Sequence, residues 1–265
     1  MVNWNTVRLL LILTSQLGLA TKQVDYTAAF VHADIDLPPN YHEMSTSEKA
    51  RQGACVEMPR GFSKEGHVLK LKKSLYGLRQ SPRNFFMCLE ENLEAVGFEP
   101  ATDVDPCLFI SEKVICLTYV DDCIMAARDL VDINEMMDKL RARNMDFEEE
   151  EDVAGFLGVH IERTPEYVKL TQKGLTKRII EALQIEDLPA VATPATGVLG
   201  KDPDGDPPNC TFNYASVIGM LWYLCGHSRC DLGFAVSQAA RFSFAPKRSH
   251  EQACSTCVSF RFFAE

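Results

Sequence analysis

Hydrophobic positions along the chain alternate between a helical and a strand-like period, and this pattern predicts an ordered succession of elements. Apolar residues recur at helical spacing over 6–20, and a short strand-like stretch ends at Asp25. A second helix is predicted from Pro82 to Gly97, because proline suits a first helical turn and glycine suits a helix end. Two strands joined by a tight turn are predicted over 107–126.

The second half of the chain continues this alternation. A helix is predicted to begin near Asp129, where an aspartate can act as the N-cap. The remaining predicted elements are strands over 156–164 and 166–172, a helix over 173–183, a Pro-, Gly- and Asp-rich linker over 187–213, and helices over 214–228 and 231–244. The order strand, helix, hairpin, helix, strand predicts an α+β fold, a sheet with helices on one face.

Composition narrows the class of protein. A chain of 265 residues with 46% apolar residues can bury a sizeable core. No apolar run approaches the roughly 20 residues that a membrane span requires, so no membrane partner is expected. Ten cysteines without a secretion signal predict reduced thiols in an intracellular protein, cytoplasmic or nuclear and not secreted. Cys254, Cys257 and His250 have the spacing of half a zinc site, but the other half is missing, which favours ordinary thiols.

Charge is distributed unevenly along the chain. The net charge of −10 argues mildly against a nucleic-acid partner. Between Glu65 and Glu90, however, there is no acidic residue, and this segment carries several cations: His67, Lys70, Lys72, Lys73, Arg79 and Arg83. The acidic run at 146–152 is expected to be a solvated loop or helix start without a function of its own.

Two adjacent carboxylates, Asp121 and Asp122, lie inside the apolar stretch "LTYVDDCIMA". An unpaired carboxylate in such a place costs several kcal/mol unless a cation neutralises it. If the strand that ends at Asp25 is a neighbour in the same sheet, three carboxylates converge, which suits Mg²⁺. The alternative is an ordinary hairpin turn, where aspartate is common.

Six motifs along the chain occur in an order that resembles that of a known protein family. They are "QVDYTAAFVHADI" at 23–35, "MPRGF" at 58–62, "LKKSLYGLRQSPRNFF" at 71–86, "YVDD" at 119–122, "FLGVHIERT" at 156–164 and the segment at 214–242. Together they resemble the reverse transcriptase of copia-type LTR retrotransposons over about residues 7–253. The resemblance implies a palm-type antiparallel sheet with helices on one face, followed by a helical connection segment.

The same resemblance implies a division of the chain. Residues 1–186 would form the palm, 187–213 a linker, 214–253 the connection segment, and 254–265 an unmatched tail. The fingers region would be largely missing before residue 7, and the RNase H domain would be missing after residue 253. The resemblance therefore implies a part of the Pol polyprotein that is truncated at both ends.

Roles for individual residues follow from the resemblance. Asp25, Asp121 and Asp122 would ligate two Mg²⁺ ions, or Mn²⁺, beside the backbone of Val24 and Tyr26. The residues implied at the nucleotide are Phe30, Tyr76, Gly77, Gln80 and Tyr119. Those implied at the nucleic acid are Lys72, Lys73, Arg79, Ser81, Pro82 and Arg83. Phe30 would exclude the ribose 2′-hydroxyl, although it is also a plausible core residue. The four cations of the last set, the two lysines and the two arginines, also suit a solvated face.

The function implied is RNA-directed DNA synthesis, with an RNA template, a DNA primer and a dNTP as partners. The alternative is a catalytically inactive relic, or a co-opted fragment that binds nucleic acid. Another palm-type nucleotidyl transferase or cyclase would give "SLYGLRQSP" no role. A purely structural interaction protein would leave the three aspartates unexplained.

Overall fold

The computed structural model describes residues 2–35, 45, 54–150, 153–164, 166–185, 189–209 and 211–260. They belong to two compact units, residues 1–153 and residues 154–265. Most of the predicted loop at 36–54 lies outside the described residues.

In its described residues, the first unit contains three α-helices and eight strands, besides a short 3₁₀ turn at Ala29–His32. The helices are α1 (Trp4–Leu17), α2 (Ser81–Ala95) and α3 (Leu130–Ala142). The strands are β1 (Ala20–Tyr26), β2 (Cys55–Val56), β3 (Leu69–Lys70), β4 (Glu99–Pro100), β5 (Leu108–Ile110), β6 (Val114–Tyr119), β7 (Asp122–Ala127) and β8 (Phe147–Glu150). Six strands form one sheet in the order β4-β5-β6-β7-β1-β8, and every neighbouring pair is antiparallel. The predicted α+β class is confirmed.

The core of this unit lies between one face of the sheet and two helices. Side chains of β1 and β7, such as Val24 and Met125, pack in one cluster with Phe85 and Leu89 of α2 and with Ile133 of α3. The cluster arises because alternate strand positions meet the apolar stripes of both helices. This packing fixes β1 and β7 side by side at the centre of the sheet.

Two predictions about strands need correction. The segment predicted as two strands forms three, because a turn at 111–113 separates β5 from β6. The acidic run was expected to be a loop or helix start, but its described part forms β8 and pairs with β1 at the sheet edge. Backbone pairing with β1 has overridden the low strand propensity of glutamate.

In its described residues, the second unit combines a small sheet with four α-helices and a short 3₁₀ turn at Cys230–Leu232. Its strands are β9 (Gly155–Phe156), β10 (Val159–Arg163) and β11 (Val168–Thr171), in the antiparallel order β11-β10-β9. Its helices are α4 (Lys173–Leu183), α5 (Tyr214–His227), α6 (Gly233–Ala240) and α7 (Arg248–Ser259). In the described residues, no helix is both long and apolar enough to cross a membrane.

The helices of this unit share one core. Ile179 of α4 packs in a cluster with Leu221 of α5, Val236 of α6 and Cys257 of α7. Consequently α4, which the resemblance assigns to the palm, lies in the same compact unit as the helices that the resemblance assigns to the connection segment. The described part of 187–213 is irregular but anchored, since the backbone N–H of Asn209 donates to Glu251 at 2.8 Å.

Candidate active site at the tip of a β-hairpin

Four cross-strand partners form a row over one face of the large sheet, here called the hairpin-tip row. Tyr119 of β6 lies opposite Asp122 of β7, Asp122 lies opposite Asp25 of β1, and Asp25 lies opposite Glu148 of β8. The backbone N–H of Tyr26 donates to the carbonyl of Asp121 at 2.9 Å. That bond makes Asp25 and Asp122 a non-hydrogen-bonded pair, in which the Cα atoms are about 4.5 Å apart and the side chains lie close. The predicted meeting of these two carboxylates is therefore realised through strand register.

The turn that carries the third carboxylate is strained. Val120 and Asp121 connect β6 to β7, and Val120 has φ +54°. A β-branched residue in this left-handed region is an outlier that costs on the order of 1–3 kcal/mol. The core clamps the turn, because Val120 packs against the main cluster and Tyr26 holds the Asp121 carbonyl. Strain that is retained in this way is typical of functional sites.

Electrostatic repulsion marks the row as a place for a cation. Burial, followed by the charges of Asp25 and Asp121, raises the pKa of Asp122 to about 6. Burial, followed by Asp121 and Glu148, also raises the pKa of Asp25. Among the described residues no ion pair reaches any of the three aspartates. The carboxylates repel one another without a protein cation to relieve them.

Two glutamates of β8 extend the acidic face, and sequence reasoning missed them. Glu148 is the partner of Asp25, and Glu150 is the partner of Gln23. Their charges add to the rise in the pKa of Asp25. Glu149 faces the other way and pairs with Lys22 and Arg141. In a strand, alternate residues of "FEEE" face opposite sides of the sheet, so Glu148 and Glu150 share one face and Glu149 lies on the other. The run of like charges has no apolar alternation, so the sequence did not indicate a strand there.

The donor set suits a hard cation that keeps part of its water shell. No group of three or more His, Cys, Asp or Glu side chains in the described part of the chain is assembled tightly enough to hold a metal by itself. Mg²⁺ does not need such a cage, since it is commonly bound by one or two carboxylates, waters and substrate phosphates. Asp25 and Asp122 supply two such carboxylates, and Asp121 lies next to them on the turn.

An aromatic pair flanks the row. Phe30 lies in a short 3₁₀ turn after β1 and is only 7% exposed, whereas Tyr76 is 55% exposed. Their ring centroids are 4.4 Å apart, so Tyr76 covers Phe30. Partial burial and the charges of Asp121 and Asp25 raise the pKa of the Tyr76 phenol. Of the two rings, Tyr76 is the one available for contact.

The loop that carries Tyr76 is held by a buried serine. Ser81 is fully buried, and its hydroxyl both accepts from the Leu75 N–H at 3.1 Å and donates to the Leu75 carbonyl at 2.7 Å. A β-turn runs from Leu75 to Leu78, and Gly77 has φ +94° in it, a conformation that glycine adopts at little cost. We therefore assign Ser81 a loop-anchoring role instead of the nucleic-acid contact expected from sequence, and Gly77 a turn requirement.

The cations expected at nucleic acid differ in their surroundings. Lys72, Arg79 and Arg83 are exposed, and no ion pair among the described residues includes them. Lys73 pairs with Asp34 at 2.8 Å and donates to the His32 carbonyl, so part of its charge is already used. Within the described part of the chain, Lys72, Arg79 and Arg83 thus differ from Lys73, whose charge is partly engaged by Asp34.

The remaining predicted residues divide between core and surface. The side chains of Val24 and Tyr26 are buried in the main cluster, so only their backbone is near the row. Pro82 lies exposed in the first turn of α2, and Gln80 is half-buried just before that helix.

The three side chains with the spacing of half a zinc site are engaged in hydrogen bonds or in core packing. His250 Nδ1 accepts from the Lys247 N–H at 2.8 Å, and Nε2 donates to the Gly200 carbonyl at 2.9 Å. Cys254 and Cys257 are buried in the helical core, which raises the pKa of Cys254 to about 11 and that of Cys257 to about 12. These three side chains serve packing.

Comparison with known proteins identifies a family whose members this chain resembles. The family model described as reverse transcriptase (RNA-dependent DNA polymerase) matches residues 1–197. The chain is 28% identical over 269 residues to a retrovirus-related Pol polyprotein from transposon TNT 1-94 of Nicotiana tabacum, covering 95% of this chain and 19% of that protein. It is 30% identical over 203 residues to the Pol polyprotein from transposon RE2 of Arabidopsis thaliana, covering 74% and 14%. The chain thus spans less than a fifth of the length of these relatives.

Proposed function

Because this chain belongs to the reverse transcriptase family, in its copia-type retrotransposon branch, we propose that it carries out RNA-directed DNA synthesis. The substrates would be a dNTP and a DNA primer paired with an RNA template. The pairing of Asp25 with Asp122 at the tip of a strained hairpin carries the proposal. Paired, uncompensated carboxylates have no stabilising purpose, whereas nucleotidyl transfer requires them.

The six-stranded sheet with α2 and α3 would be the polymerase palm. The antiparallel order and the carboxylates at the centre of the sheet support this assignment. The helices at 214–253 would form the connection segment. We propose a palm at 1–186, a linker at 187–213 and an unmatched tail at 254–265. The compact units of the fold divide at a different place, after residue 153.

Asp25, Asp121 and Asp122 would hold two Mg²⁺ ions, or Mn²⁺, with the backbone of Val24 and Tyr26 nearby. Bound ions of this kind activate a 3′-hydroxyl and neutralise the charge that develops on the leaving pyrophosphate. The protein contributes a fixed pair of carboxylates, since strand register and the clamped turn hold them before any ligand arrives. Catalysis would therefore depend mainly on positioning and charge neutralisation.

Tyr76 would face the sugar of the incoming nucleotide, supported from behind by Phe30. The exposure of the Tyr76 ring, its contact with buried Phe30, and the rise that Asp121 and Asp25 cause in the Tyr76 pKa support this division of roles. Phe30 would then act on the ribose 2′-hydroxyl through Tyr76. Gln80 and Tyr119 would complete the nucleotide site.

Lys72, Arg79 and Arg83 would contact phosphates of the template and primer. Their exposure and the lack of acids in the segment 66–89 support this role despite the acidic chain. Lys73 would contribute less because of its pairing with Asp34.

Primer extension on an RNA template with the purified chain, Mg²⁺ and dNTPs tests the proposal. Wild type should extend the primer, and Asp25→Asn should abolish extension. Asp103→Asn is a matched control, since Asp103 is exposed on a turn outside the hairpin-tip row, and it should extend normally. Failure of the folded wild type to extend would favour the inactive fragment that binds nucleic acid.

A further inference from the structure

A buried polar contact joins the two segments that carry the aromatic pair to helix α2. Asn84 of α2 donates from Nδ2 to the carbonyl of Asp34 at 3.3 Å and to the hydroxyl of Ser74 at 3.2 Å. The Ser74 hydroxyl in turn donates to the same carbonyl at 3.3 Å. These three groups are called the polar triangle below. Its two side chains are buried, with Ser74 1% and Asn84 5% exposed.

The polar triangle lies close in the chain to both rings. Phe30 lies four residues before Asp34, and Tyr76 lies two residues after Ser74. The two segments are also bonded to each other through the backbone, since the Ser74 N–H donates to the Ala33 carbonyl at 2.9 Å. The triangle adds a link from this bonded pair to α2, a helix that packs in the main core. It therefore ties both ring-bearing segments to a rigid element.

The two rings differ in how much they depend on this link. Phe30 packs edge to face against the fully buried ring of Phe85, with 6.2 Å between ring centroids. Packing of this kind can hold Phe30 in place. Tyr76 is 55% exposed and contacts Phe30 on one side, so its position depends more on the polar attachments of its loop.

The amide at position 84 is kept at a cost to the fold. Asn84 Oδ1 is buried and has no hydrogen-bond partner among the described residues. A buried acceptor without a partner is destabilising, so an apolar side chain of similar shape would suit a position that served packing alone. The nitrogen end must face Asp34, because a backbone carbonyl only accepts. What this position supplies is therefore a pair of N–H donors.

We propose that Asn84 is a positioning residue that holds Tyr76 against Phe30 and thereby sets the discrimination between dNTPs and ribonucleotides. The inference rests on the proposed function and deepens it, because it assigns a role to a residue outside the set expected at the metal or the nucleotide. Without the amide, the loop would keep its anchor at Ser81 but lose its link to α2 at Ser74. The Tyr76 ring would then be held less firmly where the sugar is expected.

The first test requires no substrate. Hydrogen–deuterium exchange of the full chain, followed by mass spectrometry, compares wild type with Asn84→Leu, which keeps the shape of the side chain but cannot donate. We expect a loss of protection in segments 29–35 and 71–78 and unchanged protection in β1 and β7. Asn92→Leu is the matched control, because Asn92 also lies in α2 and donates to the Cys88 carbonyl at 2.7 Å, away from the polar triangle. Its exchange in both segments should equal that of wild type.

The second test measures kcat and KM for a dNTP and for the matching ribonucleotide, on a DNA primer paired with an RNA template. In Asn84→Leu the discrimination should fall by about 10–100-fold, because a misplacement of about 1 Å can cost roughly 100-fold. KM for the dNTP should rise, while kcat should stay within about twofold, since the hairpin-tip row is unchanged. Loss of folded enzyme alone would lower kcat and leave the discrimination as it was.

A second variant removes the same contact from the other side. Ser74→Ala deletes only the hydroxyl, so it serves if Asn84→Leu does not fold, and it should change exchange and discrimination in the same direction. The double variant Ser74→Ala/Asn84→Leu should discriminate no worse than the weaker of the two single variants, because groups that share one contact are not additive.

The outcomes separate this inference from the proposed function. Wild-type protection in both segments of Asn84→Leu, or wild-type discrimination despite the loss of protection, would overturn the positioning role and leave the proposed function intact. Effects that multiply in the double variant, or equal effects in Asn92→Leu, would also overturn it. Absence of incorporation by a folded wild type would overturn the proposed function, and the role of Asn84 in discrimination with it.

Discussion

Replacing Asp122 with asparagine is expected to stabilise the metal-free chain while destroying the site. Asp122 is half-buried and faces two other carboxylates, and together these raise its pKa to about 6. Its charge is therefore a cost that the fold bears at neutral pH. Asparagine has nearly the same shape and carries no charge.

The magnitude follows from the difference in pKa between the folded and unfolded chain. A folded pKa of about 6 against an ordinary value of 3.8 corresponds to about 3 kcal/mol, at 1.36 kcal/mol for each pH unit. Because Asp122 retains some exposure to solvent, we expect about 1–3 kcal/mol. Since the folded state binds the proton more tightly, the free energy of unfolding of wild type falls as the pH rises from about 4 to about 6. The advantage of the variant should therefore be complete at pH 7.5 and absent below pH 4.

Urea unfolding in EDTA at pH 7.5 and near pH 4 measures this difference, with Asp103→Asn as the control for a substitution of an exposed aspartate. Adding Mg²⁺ should raise the stability of wild type more than that of Asp122→Asn, because only the native carboxylate set binds the ion. Destabilisation by Asp122→Asn at pH 7.5, or a difference that does not depend on pH, would refute the account of repulsion at the row.

Three further predictions concern the flanking residues. Phe30→Ala should cost about 3–5 kcal/mol of stability in urea unfolding, whereas Tyr76→Ala should cost less and, in primer extension, should increase incorporation of ribonucleotides. Ser81→Ala should cost about 1–3 kcal/mol, because it leaves the partly buried N–H and carbonyl of Leu75 unpaired, and should raise KM for dNTP. Arg79→Ala should reduce the salt dependence of RNA–DNA binding by about one unit of slope in a fluorescence-anisotropy titration, and Lys73→Ala by less.

These predictions can fail separately. Equal stability losses in Phe30→Ala and Tyr76→Ala would contradict the stacking of an exposed ring on a buried one. If Ser81→Ala is less stable but has an unchanged KM for dNTP, Ser81 stabilises the fold without contributing to the nucleotide site. Equal salt slopes for Arg79→Ala and Lys73→Ala would show that the ion pair with Asp34 does not occupy Lys73.

The sequence predicted the hairpin that carries Asp121 and Asp122 because strong local signals define it. Apolar runs flank Asp121 and Asp122 and mark the hairpin, and Pro82 marks the first turn of α2. Strand register then brings Asp25 opposite Asp122, which the sequence anticipated only through the assumption that the two strands are neighbours. Neighbouring central strands of one sheet share their faces, so that assumption was sufficient.

Other features depend on tertiary contacts that leave no periodic signal. "FEEE" has no apolar alternation, so its pairing with β1 and the approach of Glu148 to Asp25 were not foreseeable from local pattern. Burial of Ser81 and the covering of Phe30 by Tyr76 result from how the loop folds back on α2. Such contacts join residues from separate elements, and composition does not encode them.

If the hairpin-tip carboxylates of this chain support nucleotidyl transfer, the purified chain should incorporate a single dNTP into a primer. A labelled DNA primer on an RNA template would be mixed with enzyme in excess, Mg²⁺ and the one complementary dNTP, and the extended primer would be quantified over time. We expect incorporation by wild type and by Asp103→Asn, with a loss of at least about 100-fold in the double variant Asp121→Asn/Asp122→Asn. Absence of incorporation by a folded wild type, or incorporation that survives in the double variant, would contradict it.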